Sequence, residues 1–333
     1  MYSDDDIKAA VDAQVLTPEQ YQQLRTFLQH QRASAALPDE EHFRLLSGFN
    51  DIFVVVAAIL ALGATWTLGG LLAPWLGGLL VAAFAWGLAE YFTRIKRMAL
   101  PSIVLLVFCV GATFLGTVMT LEQFFPNQAY APLTAFALSS LVAYAHWQRF
   151  QVPITIAAAT ATITGVCISF LTIFIPFSEQ ILKIGFFSAG IIVFILALRW
   201  DHGDIKRETR RSDVAFWLHL LAAPLIVHPI FSTLANADSG LQQAIITIAL
   251  YLCLASVSLI IDRRALMVSA LAYVVYVFSK LLDSYGFMDG STAVIGVIIG
   301  SGLLLVAVYW HPLRGKLIRR LPKSIQQAVP TSH

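Results

Sequence analysis

Long apolar runs separated by short polar turns dominate this chain from residue 48 onward. Each run has about 20 residues, which at about 1.5 Å rise per residue crosses about 30 Å of hydrocarbon. Only helices suit such runs, because backbone groups in lipid must find hydrogen-bond partners within their own segment. The pattern therefore predicts an all-α, polytopic membrane helix bundle. Its transmembrane helices are about ten in number, at 48–69, 72–92, 98–120, 130–147, 152–174, 178–200, 212–235, 241–261, 265–284 and 291–311.

The residues before the first apolar run form a polar head that is predicted to be helical and amphipathic. The stretch "TPEQ" at 17–20 places Thr17 as an N-cap and Gln20 where its side chain closes a capping box. The pattern predicts three parts in the whole chain. They are a cytoplasmic amphipathic helical head (1–47), a ten-helix transmembrane domain (48–311) and a basic cytoplasmic tail (312–333).

Composition and charge support a membrane protein and set its predicted orientation. The chain is 58% hydrophobic and 13% charged, whereas soluble domains carry about 25% charged residues. Of its 22 Lys and Arg residues, 20 lie in the head, the tail and the turns after predicted spans 2, 4, 6 and 8. Positive turns face the cytoplasm, so both termini are expected to be cytoplasmic. Few aromatic residues accompany these charges, so no nucleic-acid partner is expected.

The head and the start of the first span carry a resemblance to a known class of proteins. The stretches "IKAAVDAQVLTPEQYQQLRTFL" and "GFNDIFVVVAAILALGA" (48–64) are the most specific parts of it. The chain resembles uncharacterised multi-spanning bacterial inner-membrane proteins, grouped as a domain of unknown function, that have a short cytoplasmic helical head. The resemblance implies a multi-pass protein of the bacterial inner (cytoplasmic) membrane, and it supplies no activity and no functional residue.

Predicted span 7 combines histidines and prolines inside an apolar segment, "SDVAFWLHLLAAPLIVHPIF" (212–231). At 1.5 Å per residue, His219 lies about 9 Å deep, Pro224 about 16 Å and His228 about 22 Å. A helix broken by proline that carries polar groups near the midplane is how secondary transporters build sites. We therefore predict a proton or substrate pathway through these three residues. The alternative is a kinked helix whose histidines hydrogen-bond a neighbouring helix; a haem site is disfavoured because the two histidines are about half a turn out of phase.

A second candidate lies toward the predicted outer face. Lys183 lies in span 6, and Lys280 and Asp283 lie near the outer end of span 9 with a spacing that allows them to pair. Together they are predicted to line the outer part of the substrate or proton pathway. The alternative for the lysines is that they extend to the lipid headgroups.

Catalytic and metal motifs are absent from the sequence. It contains no GxGxxG, P-loop, HExxH or GxSxG pattern. Its three cysteines, at positions 109, 167 and 253, lie in apolar segments without the spacing of a metal site. The sequence therefore predicts no catalytic residue, no metal and no cofactor, and it favours a protein that is not an enzyme.

Two functional hypotheses from different classes remain. The first is a secondary transporter or channel-like protein that moves a small solute or ion across the bilayer. The second is a non-transporting membrane scaffold or sensor that binds a cytoplasmic protein through residues 1–47, on the face bearing Leu24, Phe27 and Leu28. A GxxxG motif at Gly296 and Gly300 permits close helix approach. That motif suits packing within the bundle or a homodimer.

Overall fold

The computed structural model describes residues 49–125, 130–175, 178–204, 209–235, 241–284 and 291–323, with Gln326 and some positions between 11 and 26. Every regular element in these ranges is helical, which confirms the all-α prediction. Ten long helices follow the ten predicted segments in order, a π-helix (Glu90–Ile95) continues the second of them, and a short helix follows the tenth. The α-helices are α1 (Phe49–Leu72), α2 (Pro74–Ala89), α3 (Ala99–Phe124), α4 (Ala131–Phe150), α5 (Ile154–Phe174), α6 (Glu179–His202), α7 (Arg210–Ala235), α8 (Leu241–Ile261), α9 (Ala265–Ser284), α10 (Ser291–Val308) and α11 (Trp310–Ile318).

The number of helices able to cross a membrane is smaller than the predicted ten. Among the described residues, seven are long and apolar enough, or eight if the bent pair α10 and α11 forms one span. Helix α4 does not qualify, because its last turns are polar, and the apolar part of α9 (Ala265–Leu281) is short. The axes of α10 and α11 differ by 68°. The structure therefore supports a multi-pass membrane protein and does not confirm ten spans.

Contacts divide the chain into two compact units, residues 1–42 and 43–333. In the first unit, the predicted capping box is confirmed. The backbone N–H of Gln20 donates to Oγ1 of Thr17 at 3.2 Å, and the backbone N–H of Thr17 donates to Oε1 of Gln20 at 3.0 Å. These reciprocal bonds satisfy two backbone donors at the start of a helix. Phe27, Leu28 and most of the predicted docking face lie outside the described residues.

Glycines bring neighbouring helices of the second unit into backbone contact. A Cβ atom added to Gly69 of α1 would lie 2.7 Å from the Cα of Gly77 in α2. One added to Gly78 would lie 2.6 Å from the Cα of Gly116 in α3. Because membrane helices gain no hydrophobic driving force from each other, this close packing is what holds them together.

One end of the bundle gathers the basic turns, and we call it the basic end; the opposite end is the far end. Hydrogen bonds join turns that are distant in sequence at this end. Arg149 at the end of α4 binds Glu90 after α2 through two bonds, at 2.6 and 3.0 Å. Arg210 at the start of α7 donates to Oε1 of Gln151 after α4, at 3.2 Å. The turns after α2, α4 and α8 each contain one non-glycine residue with positive φ, namely Arg97 (53°), Gln151 (51°) and Asp262 (57°).

The helix with two internal prolines is continuous. The sequence predicted a broken helix near Pro224, yet α7 runs from Arg210 to Ala235 through both Pro224 and Pro229. The predicted break is therefore wrong. Neighbouring helices support α7 closely enough to hold a proline-containing segment helical, since more than half of its most apolar window is buried (56%).

Candidate functional site

A buried cluster of three ionisable side chains lies at the basic end. Asp201 comes from the last turn of α6, His219 from the third turn of α7, and Arg263 from the turn between α8 and α9. The exposed fractions of these residues are 8%, 1% and 3%. Ionisable groups buried among membrane helices are costly and mark functional sites by default. We call Asp201, His219 and Arg263 the ion cluster.

Close packing of α6 against α7 positions the first two members. A Cβ atom added to Gly190 of α6 would lie 2.9 Å from the carbonyl carbon of Leu225 in α7. The two helices are consecutive and antiparallel, so Asp201, eleven residues after Gly190, lies beside the early turns of α7. His219 reaches it there. The Nε2–H of His219 donates to Oδ2 of Asp201 at 2.9 Å.

The turn after α8 positions Arg263. Asp262 takes a left-handed conformation there (φ 57°), which reverses the chain between α8 and α9. The backbone N–H of Arg263 donates to the carbonyl oxygen of Ser258 at 3.0 Å, and the Ser258 hydroxyl donates to the carbonyl oxygen of Arg263. These two bonds fix the residue that carries the guanidinium.

The guanidinium of Arg263 is hydrogen-bonded on two sides. Its Nη2 donates to Oδ1 of Asp201 at 2.6 Å, and its Nε donates to Oδ2 of Asp201 at 3.3 Å. Nη2 also lies 3.2 Å from both the carbonyl oxygen and the hydroxyl of Ser212 in α7. Asp201 therefore receives hydrogen bonds from both an imidazole and a guanidinium.

The charges in the ion cluster balance only while His219 is neutral. Arginine stays protonated in proteins, so Arg263 and Asp201 form a neutral ion pair. The ring of Phe194 lies edge-on to the imidazole at 5.3 Å, and apolar side chains of α6 and α7 pack around it. A second proton on His219 would give these three side chains a net positive charge, which is costly in a low-dielectric environment unless a further carboxylate balances it. The carboxylate of Asp213 in α7 interacts electrostatically with Arg263, so proton binding by His219 depends on Asp213 as well as on Asp201.

A second buried ion pair adjoins the cluster. Trp310 of α11 donates from Nε1 to Oδ1 of Asp262 at 2.8 Å, and Nε of Arg314 lies 3.7 Å from the same oxygen. Arg314 also donates to the carbonyl oxygen of Leu259 at 3.2 Å. These contacts hold α11 against the turn that carries Arg263, so the turn is fixed from both sides.

The structure places the histidines and the proline of predicted span 7 on different faces of α7. His219 is buried against α6, whereas His228 and Pro224 are exposed. Nδ1 of His228 is hydrogen-bonded to the hydroxyl of Tyr273 in α9. The three residues therefore do not line one common cavity, and only His219 belongs to the ion cluster.

The described contacts of the predicted outer lysines lie within their own helices, and the pairing of Lys280 with Asp283 stays a prediction. Lys183 binds Glu179, one turn earlier in α6, with Nζ 2.8 Å from Oε1. Nζ of Lys280 lies 5.8 Å from the ring centre of Tyr276, in its own helix α9. The side chain of Asp283 lies outside the described residues.

The GxxxG motif in α10 has no close neighbour among the described residues. A Cβ atom added to Gly296 or Gly300 would have nothing within 4 Å. This differs from the glycines of α1, α2 and α3, which touch neighbouring backbones. Packing within the bundle at this motif is not seen in the part of the chain that the structure describes, and the homodimer stays a prediction.

Sequence reasoning missed Asp201 and Arg263. Both lie next to predicted span ends, where charged residues are usually solvated, and Arg263 was counted only as a basic turn residue. It also missed that His146 of α4 is fully buried, with Nδ1 3.3 Å from Oγ1 of Thr155. No signal in a single sequence reveals partners 62 residues apart, as Asp201 and Arg263 are. The sequence "RWDHGD" at 199–204 offered only a hint, an acid inside a basic turn.

Within the described ranges, no group of three or more His, Cys, Asp or Glu side chains is suited to hold a metal ion. Searches of protein-family models, curated proteins and solved structures find no match to this chain.

Proposed function

We propose that this chain is a ten-helix protein of the bacterial inner membrane that moves a small solute or ion, with His219 as its proton-binding residue. Both termini face the cytoplasm in this proposal. The observation that carries it is the ion cluster, in which a buried imidazole shares one carboxylate with a buried guanidinium. Buried polar pairs of this kind form proton relays in membrane proteins.

The proposal couples the proton to movement through competition for Asp201. When His219 binds a second proton, its hydrogen bond to Asp201 becomes charge-assisted and stronger. The hydrogen bonds between Asp201 and Arg263 then weaken, and the Ser212 oxygens, already 3.2 Å from Nη2 of Arg263, remain as its acceptors. Because Arg263 lies in the turn between α8 and α9, the position of this helix pair relative to α6 would follow the charge of His219.

Proton flux into liposomes tests the proposal. Purified protein would be reconstituted with a pH-sensitive dye inside, and an inside-negative potential would be imposed. Flux would be measured for protons alone and with a panel of amino acids, sugars, nucleosides and organic acids. We expect flux above that of empty liposomes, and its loss in His219→Gln and Asp201→Asn proteins.

Arg199→Gln provides the matched control, because Arg199 is an exposed cation two residues from Asp201 on the same helix. We expect this variant to keep the wild-type flux. Wild-type protein that moves nothing in the whole panel would overturn the proposal, and so would a folded His219→Gln protein with unchanged flux.

A further inference from the structure

The side chains of α8 that face the bundle interior form a polar stripe along almost the whole helix. Gln243, Thr247, Tyr251 and Ser258 follow one another at spacings of four, four and seven residues, which places them on one face. Gln243, Thr247 and Ser258 are buried. Polar side chains that face the interior of a membrane bundle normally hydrogen-bond a neighbouring helix, so any without a partner need a physical reason.

Two hydroxyls of the stripe are buried without a partner among the described residues. They are Oγ1 of Thr247, on a residue with no exposed surface, and Oη of Tyr251. Several other threonines in these helices satisfy their hydroxyls locally. Thr65 donates to the carbonyl oxygen four residues earlier, at 2.8 Å, and Thr113 and Thr160 do the same. Thr247 does not, so its hydroxyl is available to a ligand inside the bundle.

The ligand that fits these positions is water. A buried hydroxyl without a hydrogen bond is costly, and a buried water normally makes about three hydrogen bonds to such groups. The Tyr251 side chain packs against Val227, Phe231 and Ala270, so the hydroxyl lies among α7, α8 and α9. At the far end, the amide of Gln243 donates to the carbonyl oxygen of Leu234 and joins α7 to α8.

The stripe leads to the ion cluster at the basic end. Ser258 exchanges hydrogen bonds with Arg263, and Arg263 binds Asp201. Between Tyr251 and Ser258, about 10 Å apart along the helix axis, the same face carries Leu254, which packs on the apolar cluster around Phe231. The polar stripe is thus interrupted by one apolar step.

We propose that α8 lines a file of water molecules that carries protons between the far end of the bundle and the His219–Asp201 pair. Thr247 and Tyr251 hydrogen-bond the water molecules. Leu254 is an apolar constriction that interrupts the water file when water is excluded from it, as apolar constrictions gate pores. This inference rests on the proposed function and names its transported species and its route.

Cysteine accessibility tests the water file without any transport assay. In protein lacking Cys109, Cys167 and Cys253, a water-soluble methanethiosulfonate would be applied to single-cysteine variants at Thr247 and Ala222. Only ionised thiols in contact with water react, so we expect Thr247→Cys to react at least about tenfold faster than the control. Ala222 of α7 provides that control, because it is fully buried in an apolar cluster. A cysteine at 247 that is as slow as one at 222 would overturn the inference.

Hydroxyl-radical footprinting provides a second measurement on the wild-type chain, which avoids any folding defect of the variants. Radicals generated from bound water should modify Tyr251 and leave the fully buried Phe231 intact. Unmodified Tyr251 would contradict the presence of water beside it.

Proton flux then separates this inference from the proposed function. We expect Thr247→Val and Tyr251→Phe each to lower flux about fivefold, the effect of one lost hydrogen bond. We expect Leu254→Ser to raise flux by a similar factor and Ser256→Ala to leave it unchanged. Flux that needs His219 but ignores Thr247, Tyr251 and Leu254 would refute the water file and leave the proposed function standing. A reactive cysteine at 247 in a protein without any proton flux would confirm water beside Thr247 and overturn both the proton route and the proposed function.

Discussion

Replacing Arg263 by methionine tests the energetic role assigned to the ion cluster. The change keeps most of the aliphatic part of the side chain of Arg263, a residue that is 3% exposed, and removes the guanidinium that binds both oxygens of Asp201. Asp201 then keeps only the imidazole of His219. Removing one partner of a buried ion pair costs about 3–5 kcal/mol, because the remaining charge is left uncompensated. We expect the free energy of unfolding to fall by that amount.

The neighbouring arginine provides a matched control. Arg264 lies in the same turn but is exposed, with its guanidinium carbon 4.8 Å from the ring centre of Trp310. An exposed contact of this kind contributes about 0.5–1 kcal/mol, so Arg264→Met should be several times less destabilising than Arg263→Met. Unfolding of detergent-solubilised protein by sodium dodecyl sulfate, followed by tryptophan fluorescence, measures both changes.

A double substitution sharpens the test. Asp201→Asn alone leaves Arg263 without its carboxylate, and the pair of substitutions removes both charges. If the two residues act as a buried pair, the double variant should lose less stability than the sum of the single variants. Arg263→Met and Arg264→Met of equal effect, or single-variant losses that add within about 0.5 kcal/mol, would refute the reasoning.

Three further predictions concern packing, the second ion pair and orientation. Gly78→Ala, whose Cβ would lie 2.6 Å from the backbone of α3, should lower the melting temperature, whereas Gly111→Ala, with nothing within 4 Å, should not. Trp310→Phe removes a donor to a buried carboxylate at 2.8 Å, and should cost about 1.5–3 kcal/mol in unfolding measurements. In a cysteine-free background, a cysteine at Ser291 should react with an impermeant reagent added to intact cells, and one at Ser324 should not. The opposite labelling would overturn the proposed orientation.

The periodicity of the sequence predicted the helices well, because each long apolar run has few alternatives to a helix. Predicted span 8 (241–261) matches α8 at both ends, and predicted span 7 differs from α7 by two residues at its start. The capping box of Thr17 and Gln20 was equally predictable, since it involves residues only three apart. Whether each helix crosses the membrane was harder to predict. In α4, for example, polar residues such as Arg149 shorten the apolar part of the helix.

The candidate site was only partly predictable. The sequence singled out His219 by its depth in an apolar segment, and the structure places it in the ion cluster. It did not reveal Asp201 or Arg263, since burial of a charge at a helix end depends on which other turn packs on it. It also grouped His219 with His228, although helical geometry puts residues nine apart on opposite faces. Pro224 was expected to break a helix that neighbouring helices keep intact.

The sequence separation within the ion cluster has a consequence for biosynthesis. Asp201 and Arg263 are 62 residues apart, and at about 5–20 residues per second a ribosome needs about 3–12 s to add that many residues. Helix α6 is complete near the start of this interval and α7 after residue 235, and the carboxylate lacks its guanidinium throughout. Chains stalled or truncated before residue 263 should therefore expose an unbalanced charge between helices. We expect such fragments to be retained by insertion chaperones and degraded faster than fragments that end after Arg263.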